Sequence, residues 1–253
     1  MKIEYQNRLV AFIDVLGFKN LVGANTSKSI DAYYSFLLSN FKTAVAKHKF
    51  DFLLISDSIV IYCNDDIESL YALIKMTNHL QAGLLGKGIL IRGAISHGAL
   101  FVDKPNNIIV GNGLINAYHL ESQARFPRII LDRSLIKKYF DLTETALKRN
   151  VGHGWLPHLS IRAFNGHQVD FPYLNYGRIV ASYQSNQPFE SALELLIDNY
   201  YRNDHTEKFE WLKNYLIACF QEQQAWLTSR VPNSNERNRI RRVKKYLPKF
   251  KAL

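Results

Sequence analysis

The sequence is poor in residues that cross-link a fold and in long apolar runs. Its 253 residues include only two cysteines, Cys63 and Cys219, which lie far apart in the chain. That count excludes a disulfide-dense scaffold and a cysteine-only zinc site. No uncharged apolar run reaches the ~18 residues that a membrane-spanning helix needs, and the first residues lack the order typical of a signal peptide. We therefore expect a cytoplasmic protein without a membrane segment.

Positive charge is in excess, but it is not spread evenly. The net charge of the chain is +10, and residues 236–251 hold eight lysines and arginines against one acid. The rest of the chain is nearly balanced, which argues against a globally basic nucleic-acid-binding protein. The basic segment is either a solvated or inter-subunit helix, or a contact with an anionic substrate or polymer.

Strand and helix patterns alternate in the first half of the chain. They predict strands at 9–13, 50–55, 59–63, 88–95, 100–103, 108–110 and 127–131, and helices at 28–47, 67–84 and 113–124. The first six elements follow the order β-α-β-β-α-β of a ferredoxin-like unit. We predict an α+β fold in which helices cover one face of an antiparallel sheet. Residues 1–185 form this domain, and 186–253 form a helical, basic C-terminal extension.

Two aspartates stand out by their placement. Asp14 ends the first predicted strand, and Asp57 lies at the tip of the predicted hairpin Ser56-Asp57-Ser58. If the first strand pairs beside this hairpin, the two carboxylates come close together at one edge. Two carboxylates without cysteine or histidine form a hard oxygen site, which suits Mg²⁺ or Mn²⁺ held together with substrate phosphates. Either aspartate alone is typical of an ordinary turn, so it is the pair, with Gly17 after Asp14, that indicates function.

Four motifs in this order carry a resemblance to a known family. Phe12-Ile13-Asp14-Val15-Leu16-Gly17-Phe18 resembles the first metal motif of class III nucleotidyl cyclases. Ile55-Ser56-Asp57-Ser58-Ile59-Val60 resembles their second metal hairpin, with Ser56 where glycine is usual. The segment from Ile91 to Gly98, with Arg92 followed by Gly93, is similar to their central strand, and Gly111 to Ser122 is similar to the helix of their transition-state residues.

The positions that depart from the family pattern indicate which members of the family the chain resembles most. The catalytic asparagine of the family falls on Ile115 and its catalytic arginine on His119. The lysine that reads adenine falls on Leu53, and a second purine contact falls on Ile109. The chain therefore keeps the metal motifs but lacks the polar groups that recognise a purine base. This combination resembles the pyrimidine cyclases of Pycsar antiphage systems, which convert UTP or CTP into cUMP or cCMP. The choice between UTP and CTP stays open.

The resemblance and the motif placement together assign expected roles. Two Mg²⁺ or Mn²⁺ ions are expected at Asp14 and Asp57, with Ile13 in the same metal set. Backbone N–H groups at the start of a helix are expected to bind the triphosphate, from Val15, Leu16, Gly17 and Phe18. Charge on the phosphates is expected to be offset by Arg92 or Arg125, with His119 as a third catalytic candidate. Near the base we expect Phe50 or Phe52 to stack, beside Leu53.

The resemblance also implies partners. It predicts a homodimer with active sites at the interface and a downstream effector that binds the cyclic nucleotide. Nucleic acid is not expected as a partner, because the predicted central strands lack the aromatic pattern that stacks bases.

Two other functions stay open from the sequence. One is a catalytically inactive cyclase-like domain that binds a nucleotide, favoured by the missing asparagine and arginine. The other is an RNA-binding module, since ferredoxin-like sheets also bind RNA and residues 237–251 are basic. A phosphate-binding P-loop and a dinucleotide-binding glycine motif are both absent. His153, His158 and His167 lie near one another but fit no zinc-binding spacing.

Overall fold

The computed structural model of the chain describes residues 2–23, 27–48, 50–140, 159–160, 171–200, 206–229 and 231–253. Its strands are β1 Gln6–Leu16, β2 Asp51–Ile55, β3 Ser58–Asn64, β4 Leu90–Asp103, β5 Ile108–Val110, β6 Ile129–Leu131, β7 Leu159–Ser160 and β8 Tyr173–Leu174. Its helices are α1 Phe18–Gly23, α2 Ser27–His48, α3 Ile67–Leu85, α4 Asn112–Ser122, α5 Arg133–Phe140, α6 Tyr176–Ser182, α7 Gln187–Tyr200, α8 Thr206–Thr228 and α9 Ser234–Lys251.

One sheet contains all the described strands. Its order is β2-β3-β1-β4-β6-β8-β7, and β5 pairs with β4. The pairs β1–β3, β2–β3, β4–β5, β6–β8 and β7–β8 are antiparallel, whereas β4–β6 is parallel. The order β2-β3-β1-β4 is that of the predicted ferredoxin-like unit, so the prediction of an α+β fold with a mostly antiparallel sheet is confirmed.

The chain divides into two compact units, made of residues 1–77 with 91–174, and of residues 78–90 with 175–253. The first unit holds the sheet except Leu90, the first residue of β4, together with α1, α2, the part of α3 up to Thr77, α4 and α5. The second holds α6 to α9. The domain boundary that we predict at residue 185 stays a prediction.

Helices of the first unit lie on both faces of the sheet, whereas the sequence predicts helices on one face only. On one face, Phe52 lies opposite Ile61 in the β2–β3 ladder, and its ring stacks on Phe41 of α2 with 4.3 Å between centroids. On the other face, Phe12 lies opposite Val60, and its ring meets Tyr118 of α4 at 5.3 Å. Because side chains alternate along a strand, Asp14 lies on the same face of β1 as Phe12. The face with α4 is therefore the one that carries the first metal candidate.

The predicted break at Ser96-His97-Gly98 is wrong, because β4 runs without interruption from Leu90 to Asp103. The Ser96 hydroxyl is buried and donates a hydrogen bond to Asp132 at 2.7 Å, so a polar residue inside the strand is satisfied without a turn. Gly98 has a φ of 155°, and a Cβ there would lie 2.9 Å from the backbone nitrogen of Gly113. The glycine therefore marks a close approach of α4 to the strand rather than the end of the strand.

The second unit confirms the predicted helical C-terminal region. Its last helix, α9, begins with a capping box in which Asn233 and Glu236 bind each other's backbone N–H groups at 3.0 and 2.9 Å. The apolar side of α9 is buried through Val243, Tyr246, Leu247 and Phe250. Within the described ranges, none of the helices is both long and apolar enough to cross a membrane.

Gly93 offers a test of how tightly β1 and β4 pack. A Cβ at this position would lie 2.6 Å from the carbonyl oxygen of Phe12, a backbone atom that cannot move aside. We expect Gly93→Ala to lower the free energy of unfolding by about 2–4 kcal/mol, measured by chemical denaturation. Gly88→Ala is the control, since a Cβ there meets nothing within 4 Å and only the φ of +73° resists it. The control should cost about 1 kcal/mol, and an equal effect of both variants would contradict the packing explanation.

Candidate functional site

The two aspartates of the predicted metal site lie at the same end of neighbouring strands. Asp14 of β1 lies directly opposite Ser58 of β3, and the N–H of Val15 donates to the carbonyl of Asp57 at 3.1 Å. Asp57 and Ser56 form the two-residue turn that joins β2 and β3. Asp14 and Asp57 are therefore diagonal neighbours across strands that are spaced at about 4.8 Å.

Two adjacent tyrosines of α2 support this end of the sheet. The Tyr34 hydroxyl donates to the carbonyl of Ser56 at 3.2 Å, which ties α2 to the turn that carries Asp57. Ser56 has a φ of 55°, a left-handed conformation where glycine is usual. Tyr33 is buried, and its pKa is raised by this burial and by the nearby Tyr34, Asp57 and Asp14. The negative charges of Asp14 and Asp57 therefore both favour the protonated form of the Tyr33 hydroxyl, which stays able to donate a hydrogen bond.

Arg92 lies between two carboxylates. Its Nη2 is 3.7 Å from Oδ2 of Asp14, and its Nε donates to Oε1 of Glu121 on α4. The side chains of Arg92 and Asp14 are about one-quarter exposed, whereas that of Glu121 is only 6% exposed. The predicted catalytic arginine is therefore next to the predicted metal ligand, and its catalytic role stays a prediction.

The loop after Asp14 only partly matches its predicted role in binding a triphosphate. The N–H of Val15 already donates to Asp57, so it is not available to a phosphate. Gly17 has a φ of 75° and opens the turn into α1, and the Phe18 ring contacts Tyr33 at 6.1 Å. Leu16 is half-buried at the end of β1. For Leu16, Gly17 and Phe18 the assignment stays a prediction.

Ile13 lies inside the sheet next to Asp14. Its side chain is fully buried and faces Ile59 in the ladder. An isoleucine side chain has no ligand atom, so only the main-chain carbonyl of Ile13 would serve in the predicted metal set.

The three candidates for the base lie on two different faces. Phe50 is buried in the core, and Phe52 is stacked on Phe41 under α2. Phe50 is therefore a core residue and Phe52 is a partly buried one that packs against α2. That one of them stacks on a base stays a prediction. Leu53 lies on the opposite face, in the same apolar cluster as Ile109. The two positions that read purines in the resembled family thus lie together here and are both apolar.

His119 and Arg125, the other two catalytic candidates, are exposed. His119 lies on the outer side of α4, where its ring meets that of Tyr118 at 5.7 Å. Arg125 follows α4 with a φ of 56°. His153, His158 and His167 lie outside the described residues.

A second polar cluster surrounds Asp65. His97 approaches this carboxylate at 3.4 Å, Lys138 donates to it at 2.6 Å, and Tyr139 also donates to it. Burial alone would raise the pKa of Asp65, but these hydrogen bonds and the charge of Lys138 hold it below its ordinary value. Because β1 pairs Arg8 with Asn64 and Asp14 with Ser58, Asp65 follows the end of β3 that is remote from the metal candidates. The cluster is therefore separate from the candidate site.

The lowered pKa of Asp65 predicts how stability depends on pH. A carboxyl whose pKa is lower in the folded state stabilises the fold above its ordinary pKa of 3.8, and this contribution disappears as the pH falls through the folded-state value. We expect Asp65→Asn to lower the free energy of unfolding by about 2 kcal/mol at pH 7 and to flatten its decline below pH ~4, as measured by denaturation.

The control for Asp65→Asn is Asp51→Asn, which removes an exposed carboxylate bound to Lys104. It should leave the acid dependence as in the wild type. Asp65→Asn should keep part of the loss of stability in acid, because a second carboxyl, Asp132, also has a lowered pKa. Burial alone would raise the pKa of Asp132, but hydrogen bonds from Ser134 and Ser96 lower it by more. An unchanged acid slope in Asp65→Asn would contradict this explanation.

Two kinds of residue at the site were missed from the sequence. In the sequence, Tyr33 and Tyr34 are only two of the apolar positions that predict a helix. Glu121 is only one residue of the motif from Gly111 to Ser122. A signal for Glu121 exists, since it is the one acidic residue of α4 and directly follows the apolar Leu120. No comparable signal distinguishes Tyr33 from the other tyrosines of the chain.

No family model matches this sequence, and no curated protein matches it. Among solved structures, the chain is similar to the adenylyl cyclase CyaB from P. aeruginosa, at 12% identity over 69% of this chain and 95% of that chain, with a TM-score of 0.47. It is similar to the guanylyl cyclase Cya2 at 12% identity, over 69% and 92% of the two chains, with a TM-score of 0.47.

A third similar structure is a dimeric guanylyl cyclase domain of the RhoGC fusion protein from the aquatic fungus Blastocladiella emersonii. The identity is 13%, the coverage is 68% of this chain and 96% of that chain, and the TM-score is 0.49. Likeness at this level concerns the backbone alone, so any functional conclusion has to come from this chain's own residues.

Proposed function

We propose that this chain is a metal-dependent pyrimidine nucleotide cyclase, which converts UTP or CTP into cUMP or cCMP and pyrophosphate. The observation that carries the proposal is the placement of Asp14 and Asp57 as diagonal neighbours at one end of β1 and β3. Their order in the chain and their surrounding motifs resemble the two metal motifs of class III nucleotidyl cyclases.

The chemistry of these residues fits Mg²⁺ or Mn²⁺. Both side chains offer only oxygen, the preferred ligand of these hard cations. Across the described part of the chain, no group of three or more histidine, cysteine, aspartate or glutamate side chains gathers at a point where it would hold a metal. Asp14 and Asp57 would therefore hold two ions together with substrate phosphates and water, as is usual for Mg²⁺ sites that act on nucleotides.

The residues around Asp14 and Asp57 suit cyclisation of a nucleoside triphosphate. Bound divalent ions would lower the pKa of the ribose 3′-hydroxyl and offset charge on the phosphates. In the reaction, the 3′-oxygen forms a bond to the α-phosphorus, the bond from that phosphorus to the bridging oxygen breaks, and pyrophosphate leaves. The proton of the 3′-hydroxyl passes to solvent. Arg92 would contribute positive charge beside the phosphates.

The apolar base region argues against readout of a purine, and the resemblance to the Pycsar cyclases is what favours a pyrimidine. Recognition of adenine or guanine depends on placed hydrogen-bond groups, since a purine edge left without partners loses the interactions it makes with water. Leu53 and Ile109 offer none, and both pack against the cluster of Val10, Val60 and Tyr62. The choice between UTP and CTP stays open.

A homodimer is part of the proposal. The outer side of α4 and the preceding strand expose large apolar side chains, with Ile115 at 47%, Tyr118 at 55% and Val110 at 41%. Exposed apolar residues that lie close together are typical of interaction surfaces. In a dimer that covers this surface, His119 on the same side of α4 would come close to the partner subunit.

The proposed product implies a role in the cell. By its resemblance to the Pycsar cyclases, the chain would work in the cytoplasm and make a second messenger in antiphage defence, read by an effector that binds the cyclic pyrimidine nucleotide.

A substrate panel tests the proposal. The purified chain is incubated separately with ATP, GTP, CTP and UTP in the presence of Mn²⁺, and the cyclic monophosphates are identified by mass. We expect cUMP or cCMP as the main product. If no triphosphate yields a cyclic product although one of them binds, the chain is the inactive nucleotide-binding domain instead. Binding of RNA with a steep salt dependence, and of no triphosphate, would favour the RNA-binding alternative.

A further inference from the structure

Glu121 is a buried carboxylate to which the proposed reaction assigns no role. It lies on α4 on the side that packs against the sheet, and the whole residue is 5% exposed. A buried ionised carboxylate is costly unless a charged or hydrogen-bonding partner compensates it. Its partner is the Nε of Arg92, which donates to Oε1 of Glu121.

The same guanidinium reaches the candidate metal site with its other end. Nη2 of Arg92 is 3.7 Å from Oδ2 of Asp14, so Arg92 bridges a buried carboxylate and a partly exposed one. A guanidinium is planar and rigid. A bond that holds Nε to Glu121 therefore also fixes the direction in which Nη2 points.

This arrangement matters for the affinity of the site for a cation. A positive charge within 4 Å of a ligand carboxylate opposes a divalent ion at that carboxylate, and a negative charge that partners the arginine reduces this opposition. Arg92 and Glu121 therefore act on the metal site with opposite signs.

We propose that Glu121 is a positioning residue that holds Arg92 beside Asp14 and thereby sets the affinity of the site for its divalent ion. The proposal rests on the metal site of the proposed function, but it does not depend on which nucleotide is cyclised.

Because Arg92 and Glu121 carry opposite charges, removing each charge should shift the affinity for Mn²⁺ in opposite directions. In Arg92→Gln the opposing charge is gone, so we expect Mn²⁺ to bind about tenfold more tightly. In Glu121→Gln the arginine loses its buried counter-charge and pairs more fully with Asp14, so we expect Mn²⁺ to bind about three- to fivefold more weakly. A purely structural role of the pair would weaken binding in both variants through loss of order.

The experiment is a Mn²⁺ titration of the nucleotide-free protein, followed by electron paramagnetic resonance of the unbound ion. Lys104→Gln is the matched control, because it also removes one cation from an ion pair, with Asp51, but lies just past the other end of β4. It should change the dissociation constant by less than twofold. Thermal unfolding of each variant reports whether it is folded. If Glu121→Gln does not fold, the double variant Arg92→Gln/Glu121→Gln replaces it, which leaves no buried charge unpaired; it should bind Mn²⁺ as tightly as Arg92→Gln, because Glu121 acts only through Arg92.

Binding that shifts in opposite directions in the two variants supports the proposal. Equal or absent shifts, or weaker binding in Arg92→Gln, overturn it. The triphosphate panel on the same wild-type preparation keeps the two proposals apart. Opposite shifts without a cyclic product would overturn the proposed function alone, whereas a cyclic product with unshifted Mn²⁺ affinity would overturn the role of Glu121 alone.

Discussion

Replacing either candidate metal ligand should abolish formation of the cyclic nucleotide. Asp14→Asn and Asp57→Asn each keep the size of the side chain but remove the negative charge that a divalent ion requires. Because the ions supply several kcal/mol of charge stabilisation in such reactions, we expect each variant to lose at least ~10³-fold in rate. The measurement is the initial rate of cUMP or cCMP formation, quantified by mass at saturating Mn²⁺.

Asp51→Asn is the matched control for these two variants. Asp51 begins β2 and is partly exposed beside Lys104, and it lies opposite Tyr62, four residues along β3 from Ser58. Its rate should stay within about twofold of the wild type. If Asp14→Asn or Asp57→Asn kept more than a tenth of the wild-type rate while remaining folded, the metal-dependent scheme would be wrong.

The second large effect concerns the base. We expect kcat/KM for the preferred pyrimidine triphosphate to exceed those for ATP and GTP by about 100-fold, since Leu53 and Ile109 leave the purine edge without hydrogen-bond partners. The measurement is kcat/KM for each of the four triphosphates under identical Mn²⁺ concentrations.

Variants at Leu53 show whether this residue contributes to the selectivity. Leu53→Lys restores the residue type that reads adenine in the resembled family, and we expect it to raise kcat/KM for ATP relative to UTP or CTP by about tenfold. Leu53→Met is the control, because it keeps an apolar side chain of similar volume and should leave the ratio unchanged. A wild-type protein that prefers ATP or GTP would contradict the pyrimidine assignment whatever the variants do.

The neighbouring positions of Asp14 and Asp57 could be predicted from the sequence, because they depend on local signals. The turn residues Ser56 and Asp57 sit between two apolar runs, which is the pattern of a hairpin. The β-α-β-β-α-β order then places the first strand beside that hairpin, and the register of Asp14 opposite Ser58 agrees with it. Hairpin geometry and the order of the elements were together sufficient to predict that Asp14 and Asp57 are neighbours.

The contact between Arg92 and Glu121 could not be predicted in this way. It joins residues 29 positions apart in the chain, one on a strand and one on a helix. Which side of α4 meets the sheet depends on the tertiary packing of Leu114 and Ala117, and a weakly amphipathic helix does not specify that side.

The packing of Phe50 and Phe52 could not be predicted for a similar reason. Phe50 and Phe52 precede the metal hairpin, and proximity in the sequence suggested proximity to the nucleotide. Alternation along β2 instead turns Phe52 toward Phe41 of α2, while Leu53 faces the other side. Which of these faces lies open to a ligand is decided by the helices that cover them, which the strand sequence does not encode.

A crystal of the protein soaked with Mn²⁺ and a non-hydrolysable UTP analogue would test the shared metal site most directly. Anomalous scattering locates Mn²⁺ without reference to the protein atoms. We expect two peaks about 4 Å apart, each within about 2.2 Å of a carboxylate oxygen and both flanked by Asp14 and Asp57. Peaks that touch neither residue, or a nucleotide bound with its phosphates away from this end of β1, would contradict the account.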